Sequence, residues 1–217
     1  MEQIKLDFHI HSHYSPDGNM KPILILEKSM SVGLDVIAVT DHNTTKGALE
    51  ARNLSEQMDL DILVIVGQEV KTLSGEIIVL NIEEDIPKNL SLEDTINYGK
   101  GGFFIAPHPF DKFRQGIGED LDLIKSKINA IEIFNSRTLL SNHNKLAGSY
   151  ARLNKVPGIA GSDSHFQEEI GSSYFMLKSK KNINSVLKGI KENEIFIYGR
   201  QTGFKPHIKT SLIHFLK

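Results

Sequence analysis

Six short apolar runs in this chain each stop at side chains that bind metal ions or polar ligands. The runs are residues 4–9, 35–40 (DVIAVT), 62–66 (ILVIV), 103–106 (FFIA), 130–134 (AIEIF) and 158–160. At or beyond their ends stand His9, His11, His13 and Asp17, then Asp41 and His42, then Glu69, then His108 between Pro107 and Pro109, then Asn135, Ser136 and Arg137, and last Asp163 and His165. The runs read as strands. The amphipathic stretches 22–32, 46–58, 91–98, 121–127, 140–153 and 183–191 read as helices. Pro22 lies in the first turn of one helix and Gly33 just past its end. Ser91 is a natural N-cap, with Asp94 three residues on.

Strands alternating with helices imply parallel strands and right-handed crossovers. Six or seven such units in about 200 residues fit a compact α/β barrel better than an open sheet. Residues 69–72 and 76–82 read as a hairpin joined through Leu73-Ser74-Gly75. Strands are also expected at 173–177 and 194–198. The tail after about residue 199 fits no strand–helix unit and reads as an appendage to a single domain spanning 1–217.

Composition narrows the chemistry. A chain of 217 residues suits one domain of ordinary size. Zero Cys excludes disulfides, thiolate metal sites and a Cys nucleophile, whereas nine His stand out. A net charge of −2 gives no electrostatic signature of nucleic-acid binding. No stretch resembles a signal peptide or a membrane helix, so the expectation is a cytoplasmic protein with no membrane partner.

The carboxyl ends of parallel strands face one end of a barrel, where active sites gather. Residues i and i+2 of a strand face the same way, which pairs His9 with His11 and Asp163 with His165. The loop holding Pro16 and Gly18 can fold Asp17 back over the strand end. Histidine nitrogens and carboxylates without Cys suit Zn²⁺, Mn²⁺ or Fe²⁺ in an open catalytic site. So many ionisable groups at buried strand ends are costly unless a cation pairs them. Arg114, Arg137, Asn135 and Ser136 are candidates to bind a substrate phosphate, since Arg meets phosphate oxygens bidentately. Asp41 reads as a helix N-cap or an acceptor that orients a histidine. His13, His143, His207 and His214 are expected to stay out of the metal chemistry, with His143 on a solvated helix face.

The segments DFHIHSHYSPDG (7–18), VTDHNT (39–44), GQEV (67–70), APHPFD (106–111), EIFNSR (132–137) and GSDSH (161–165) resemble, in order and separation, the polymerase and histidinol phosphatase (PHP) family of metal-dependent phosphoesterases. The resemblance runs over roughly residues 4–178. It implies a distorted (β/α)7 barrel, TIM-barrel-like, with two or three divalent cations (Zn, Mn or Fe) at the carboxyl ends of the strands. It implies that His9, His11, Glu69 and Asp163 hold one cation, that Asp17, His42 and His165 complete a second, and that Glu69 bridges to a third near His108. The implied reaction is hydrolysis of a phosphate ester on a small molecule or nucleotide, by a hydroxide bridged between cations, with Glu69, Asp163 and His165 as catalytic residues. One departure stands out: the strand after the Glu69 loop, 76–81 (EIIVLN), lacks the His that three-metal members carry. Two cations are therefore favoured. The other readings are an amidohydrolase-type enzyme acting on C–N or ester bonds, a non-catalytic metal-binding regulatory domain, a polymerase-associated editing domain and a histidinol phosphate phosphatase proper.

Overall fold

The computed structural model describes residues 2–192 and 194–216. Its strands are β1 (Glu2–Ile10), β2 (Val36–Val39), β3 (Leu63–Lys71), β4 (Glu76–Leu80), β5 (Phe103–Ala106), β6 (Ala130–Asn135), β7 (Gly158–Gly161), β8 (Ser173–Ser179) and β9 (Phe196–Gly199). The helices are α1 (Pro22–Ser31), α2 (Lys46–Gln57), α3 (Leu92–Tyr98), α4 (Leu121–Ile124), α5 (Ser141–Asn154), α6 (Ile183–Glu192) and α7 (Lys205–Leu216). As expected, Pro22 opens α1, and the Ser91 side chain caps α3 by accepting from the Asp94 N–H.

All nine strands form one sheet in the order β7-β6-β5-β4-β3-β2-β1-β8-β9. Strand β4 runs antiparallel to both β3 and β5, so β3 and β5 point the same way. With the parallel pairs β1–β2, β2–β3, β5–β6 and β6–β7, six strands send their carboxyl ends to one end of the sheet. The chain beyond β7 then returns to β1. The His11 N–H donates to the Ser164 carbonyl (2.8 Å), and the Ser164 N–H to the His9 carbonyl (3.3 Å). The sheet is thereby nearly closed into a barrel. The expected fold class holds, and antiparallel β4 is the expected hairpin partner of β3; two differences are that β8 returns antiparallel to β1 and that β9 pairs antiparallel with β8.

A third difference matters for the site. Gly67 does not end the third strand. Strand β3 runs on through Glu69 to Lys71 and pairs with β4. Gly67 sits inside this ladder because a Cβ there would lie 2.5 Å from the Leu80 side chain. Glu69 is thus held by a continuous strand rather than a loop.

The barrel interior is apolar below the strand ends. Leu6 and Phe8 of β1, Ile65 of β3, Ile78 of β4 and Phe175 of β8 share one cluster, closed by Val186 and Ile190 of α6. Ile10 belongs instead to the cluster beneath α1 and α2. The side-chain alternation of β1 therefore slips by one between Phe8 and Ile10, where its register with β2 also shifts. This bulge lets His9 and His11 look inwards above the apolar plug. A second shift lies on β6 between Glu132 and Phe134.

The tail is not a loose appendage. The Thr202 N–H donates to the Ser136 carbonyl (2.9 Å), and Gln201 donates to the Thr138 carbonyl. Among the described residues no helix is long and apolar enough to cross a membrane.

Phe175 is fully buried and meets Phe8 edge-on, with ring centroids 5.1 Å apart. Phe175→Ala is expected to destabilise the fold by about 3–5 kcal/mol, read as a lower urea midpoint. An unchanged midpoint would remove this pair from the core.

Candidate metal centre

Glu69 stands at the middle of the strand-end cluster and is 1% exposed. Its Oε2 lies 3.4 Å from Nε2 of both His9 and His11. Asp163 Oδ1 lies 3.6 and 3.5 Å from the same two nitrogens. Those Nε2 atoms are buried without a hydrogen-bond partner, as is Glu69 Oε1. Buried polar atoms are nearly always satisfied. Orphans converging from the ends of two strands, β1 and β3, mark a place that fits a cation.

Two further groups adjoin this one. Asp17 Oδ2 is 3.1 Å from His165 Nε2 and 3.7 Å from His42 Nε2, while Asp17 Oδ1 is buried and unpartnered. The His11 ring lies 4.6 and 4.1 Å, centroid to centroid, from the rings of His42 and His165. On the other side, Glu69 Oε1 is 3.3 Å from His108 Nε2. Glu76 completes that side, with Oε2 3.9 Å from His108 Nε2 and Oε1 3.8 Å from His42 Nδ1. The ligand atoms of His9, Glu69 and His108 lie within 4.8 Å of one another, as do those of His42, Glu69 and Glu76. These donor sets, nitrogen and carboxylate throughout, fit borderline and hard divalent ions.

Glu76 was not among the residues the sequence pointed to. The expectation looked for a His in strand β4. A carboxylate opens that strand instead, brought opposite Lys71 by the hairpin register. Glu132 was missed too. Its Oε1 is 2.8 Å from His9 Nδ1, and its Oε2 accepts from the His108 N–H (3.0 Å) and from Asn135 Nδ2 (2.9 Å). One carboxylate thus orients two ligand residues. Gly161 makes room for it: a Cβ there would lie 2.0 Å from Glu132 Oε1.

The backbone is strained where ligands are aimed. His108 (φ 28°) and Asp163 (φ 56°) both have left-handed backbone, which non-glycine residues rarely adopt. Pro107 and Pro109 stiffen the chain around His108. Asp41 accepts from the Ser12 N–H and hydroxyl, both at 2.6 Å, and so secures the loop that carries Asp17. Ser15 Oγ accepts from the His42 N–H (2.9 Å) and lies 3.1 Å from His11 Nδ1.

The residues expected to meet a phosphate divide into two groups. Arg114 lines the cavity above the cluster, which measures about 210 Å³. It pairs with Asp163 and Asp111, and NH2 donates to Asn135 Oδ1 (2.9 Å). Asn135 is fully buried and donates to Asp163 Oδ2 (3.1 Å), so it steadies carboxylates. Ser136 is also fully buried. Arg137 borders the cavity, but Nε faces Glu169 (2.9 Å), NH1 faces His165 Nδ1 (3.0 Å) and NH2 donates to Thr210 (3.1 Å). Arg137 is only 3% exposed, so less of it faces the cavity than of Arg114.

Of the histidines set aside, His13 lies against the Met20 carbonyl. His143 is not on a solvated face; it is tucked 3.4 Å from Asp111. His207 contacts the Arg137 carbonyl. The side chain of His214 lies outside the described residues.

Without cations, protons balance the charge. Burial acts to raise Glu69 and Asp163, but His9, with His42 and Arg114, outweighs it and holds both well below the usual carboxylate range. Burial acts to lower His9 and His42. Asp163, Glu132 and Glu69 nonetheless hold His9 well above its ordinary value, and Glu69, Asp17 and Glu76 raise His42 to about 10. Burial, then His165 and His42, pushes His11 down to about 3. Burial and the Glu69 charge lift Glu76 to about 7.

A family model for the PHP domain matches residues 7–117, and one described as PHP-associated matches residues 141–195. Two uncharacterised proteins of Methanocaldococcus jannaschii are similar to this chain. One is 39% identical over 148 residues, covering 61% of this chain and 82% of the relative. The other is 32% identical over 179 residues, covering 79% and 69%. The phosphoribosyl 1,2-cyclic phosphate 1,2-diphosphodiesterase of Eggerthella lenta is 36% identical over 87 residues, 37% of this chain and 32% of that enzyme. Among solved structures, a two-domain protein of Bacteroides vulgatus containing a predicted PHP-like metal-dependent phosphoesterase superposes with a TM-score of 0.78 at 19% identity. The likeness covers 92% of this chain, which spans only 65% of that protein.

The charge balance has a pH signature. A histidine with a raised folded pKa adds stability that is complete below its unfolded value, about 6.5, and is lost as pH rises through the folded value. For His42 that window runs up to about 10, and His9 titrates in the same sense. The chelator-treated protein is therefore expected to lose stability steadily from about pH 7 to about pH 10 in denaturant titrations. A flat or rising profile would contradict these ion pairs.

Proposed function

The chain belongs to the PHP family, and on that premise we propose that it hydrolyses a phosphate ester of a small molecule or nucleotide with the help of divalent cations. The observation that carries this reading is the convergence of orphaned histidine nitrogens and carboxylate oxygens on Glu69. The enzyme name of the Eggerthella lenta relative supports phosphoester chemistry.

We assign three cation positions around Glu69. His9, His11 and Asp163 would hold one, Asp17, His42 and His165 a second, and His108 with Glu76 a third. Glu76 would supply the ligand that the missing histidine left open, and on that ground the proposal takes three ions where the sequence favoured two. Bound there, divalent cations supply Lewis acidity to phosphoryl oxygens and acidify a water for attack. The chain's own residues do the rest. Arg114 offers a guanidinium at the cavity wall for a non-bridging oxygen. Its pairing with Asp163 and Asn135 also keeps the Asp163 carboxylate aimed at the histidines. Buried Glu132 fixes the ring of His9.

The size of the cavity bears on the substrate. Pockets that enclose drug-sized ligands measure roughly 300–1,000 Å³. A cavity of about 210 Å³ fits a phosphoryl group and is open to solvent on its outer side. The remainder of the substrate would leave past Phe113, which is 71% exposed, and Gln115.

Phosphate release by the metal-reconstituted protein on a panel of phosphomonoesters and phosphodiesters tests the reading. Turnover is expected, and Asp163→Asn is expected to reduce it by more than about 100-fold, beyond the usual loss for a partner that only orients a ligand. Binding of metal without turnover on any ester would overturn it. In the same preparation, Glu76→Gln is expected to lower the bound metal by one ion per chain, measured by mass spectrometry of the elements. Full metal content in that variant would remove Glu76 from the ligands.

A further inference from the structure

Beyond both family-model matches, the chain runs on through β9 to α7. This terminal segment is hydrogen-bonded to the chain that follows β6. His207 Nε2 lies 2.8 Å from the Arg137 carbonyl. Arg137 NH2 donates to Thr210 Oγ1 (3.1 Å), whose own proton goes to the Pro206 carbonyl (2.6 Å). The guanidinium is gripped from the opposite side by Glu169, which also accepts from the His165 N–H (3.1 Å). Its remaining end, NH1, faces His165 Nδ1 at 3.0 Å, beside the Asp163 carbonyl at 2.9 Å. Arg137, Glu169, His165 and Thr210 are all buried.

From this network we propose that the C-terminal helix is a positioning element for the Asp17–His42–His165 group: through Thr210 and His207 it holds the Arg137 guanidinium, which fixes Glu169 on the His165 N–H and so places the ring with Nε2 towards Asp17.

Several features of the network support a positioning role over simple packing. Every nitrogen of the guanidinium is used, and two of its three partners touch His165 or are His165 itself. The Nδ1 edge of the ring is clamped, and the Nε2 edge is the one that meets Asp17 Oδ2 at 3.1 Å. A ligand histidine depends on the partner of its other nitrogen for ring orientation, and loss of such a partner typically weakens metal binding by 10–100-fold. For His165 that partner is the Asp163 carbonyl, 2.9 Å from Nδ1; Arg137, which only donates, acts one step back by holding Glu169 on the His165 N–H, and the tail holds Arg137. Glu132 serves His9 directly from within the barrel. The second group thus borrows its support from the end of the chain. Arg137 and Thr210 are positioning residues; neither is assigned contact with the reacting atoms.

The inference rests on the proposed metal function, and its test separates the two. Co²⁺ would be titrated into the chelator-treated full chain, with calorimetry for affinity and visible absorption for ligand geometry. Thr210→Val keeps the volume and removes the acceptor. It is expected to weaken the Co²⁺ class held by the Asp17 group about tenfold and to change its absorption band, while Thr210→Ser restores both. His207→Ala should shift the same class in the same direction, and it stands in if Thr210→Val does not fold. Parent-like affinity and spectrum in a folded variant would overturn the inference and leave the phosphoesterase reading intact. Failure of the parent protein to bind Co²⁺ at all would overturn both.

Discussion

Several ionisable groups share a volume from which water is excluded, and the upper half of this barrel is organised around that fact. Glu69 and Asp163 face His9, His11, His42 and His165 with almost no exposure among most of them. Burying a carboxylate costs several kcal/mol in a real protein unless charge and hydrogen bonds repay it. Protons on His9 and His42 meet part of that demand, and burial with the Glu69 charge raises Glu76 to about 7. Cations meet it better, because they satisfy the orphaned Nε2 and Oε atoms that protons leave without partners. The arrangement makes sense as a cation cradle and is expensive as anything else.

Holding the cradle required departures from regular structure. A bulge on β1 turns His9 and His11 above the apolar plug, and another on β6 lies beside Glu132. His108 and Asp163 accept left-handed backbone. Gly161 gives up a side chain so that the Glu132 carboxylate can lie against His9. Each local cost is borne by a packed frame: the shared cluster beneath the site reaches from Leu6 to Ile190. Rigid strands do the aiming, as Glu69 inside the β3–β4 ladder shows.

Residues that point to the site from sequence are those whose geometry follows from local rules. His9 with His11, and Asp163 with His165, are read from period two at a strand end. His108 is marked by its two prolines. Glu76 escapes because its place depends on how β3 and β4 pair, and because a carboxylate at the opening of an apolar strand reads as an edge charge. Glu132 escapes because it lies inside an apolar run, where the bulge that presents it leaves no trace in the letters. The partners that hold Arg137 are not legible because they lie far along the chain: Glu169 is 32 residues on and Thr210 is 73. The barrel class was legible from alternation and the β3–β4 hairpin from its turn residues, but the unbroken run of β3 through Gly67 and the hydrogen bonds made by the tail were not. Both are set by contacts between segments, which composition and periodicity do not carry.

Anomalous diffraction from crystals of the metal-loaded protein, measured at the absorption edge of the bound ion, tests the account at its centre. Strong peaks are expected around Glu69: one among His9, His11 and Asp163, one among Asp17, His42 and His165, and one between His108 and Glu76. Crystals grown with saturating Mn²⁺ or Zn²⁺ that show no peak within bonding distance of Glu69 would contradict it.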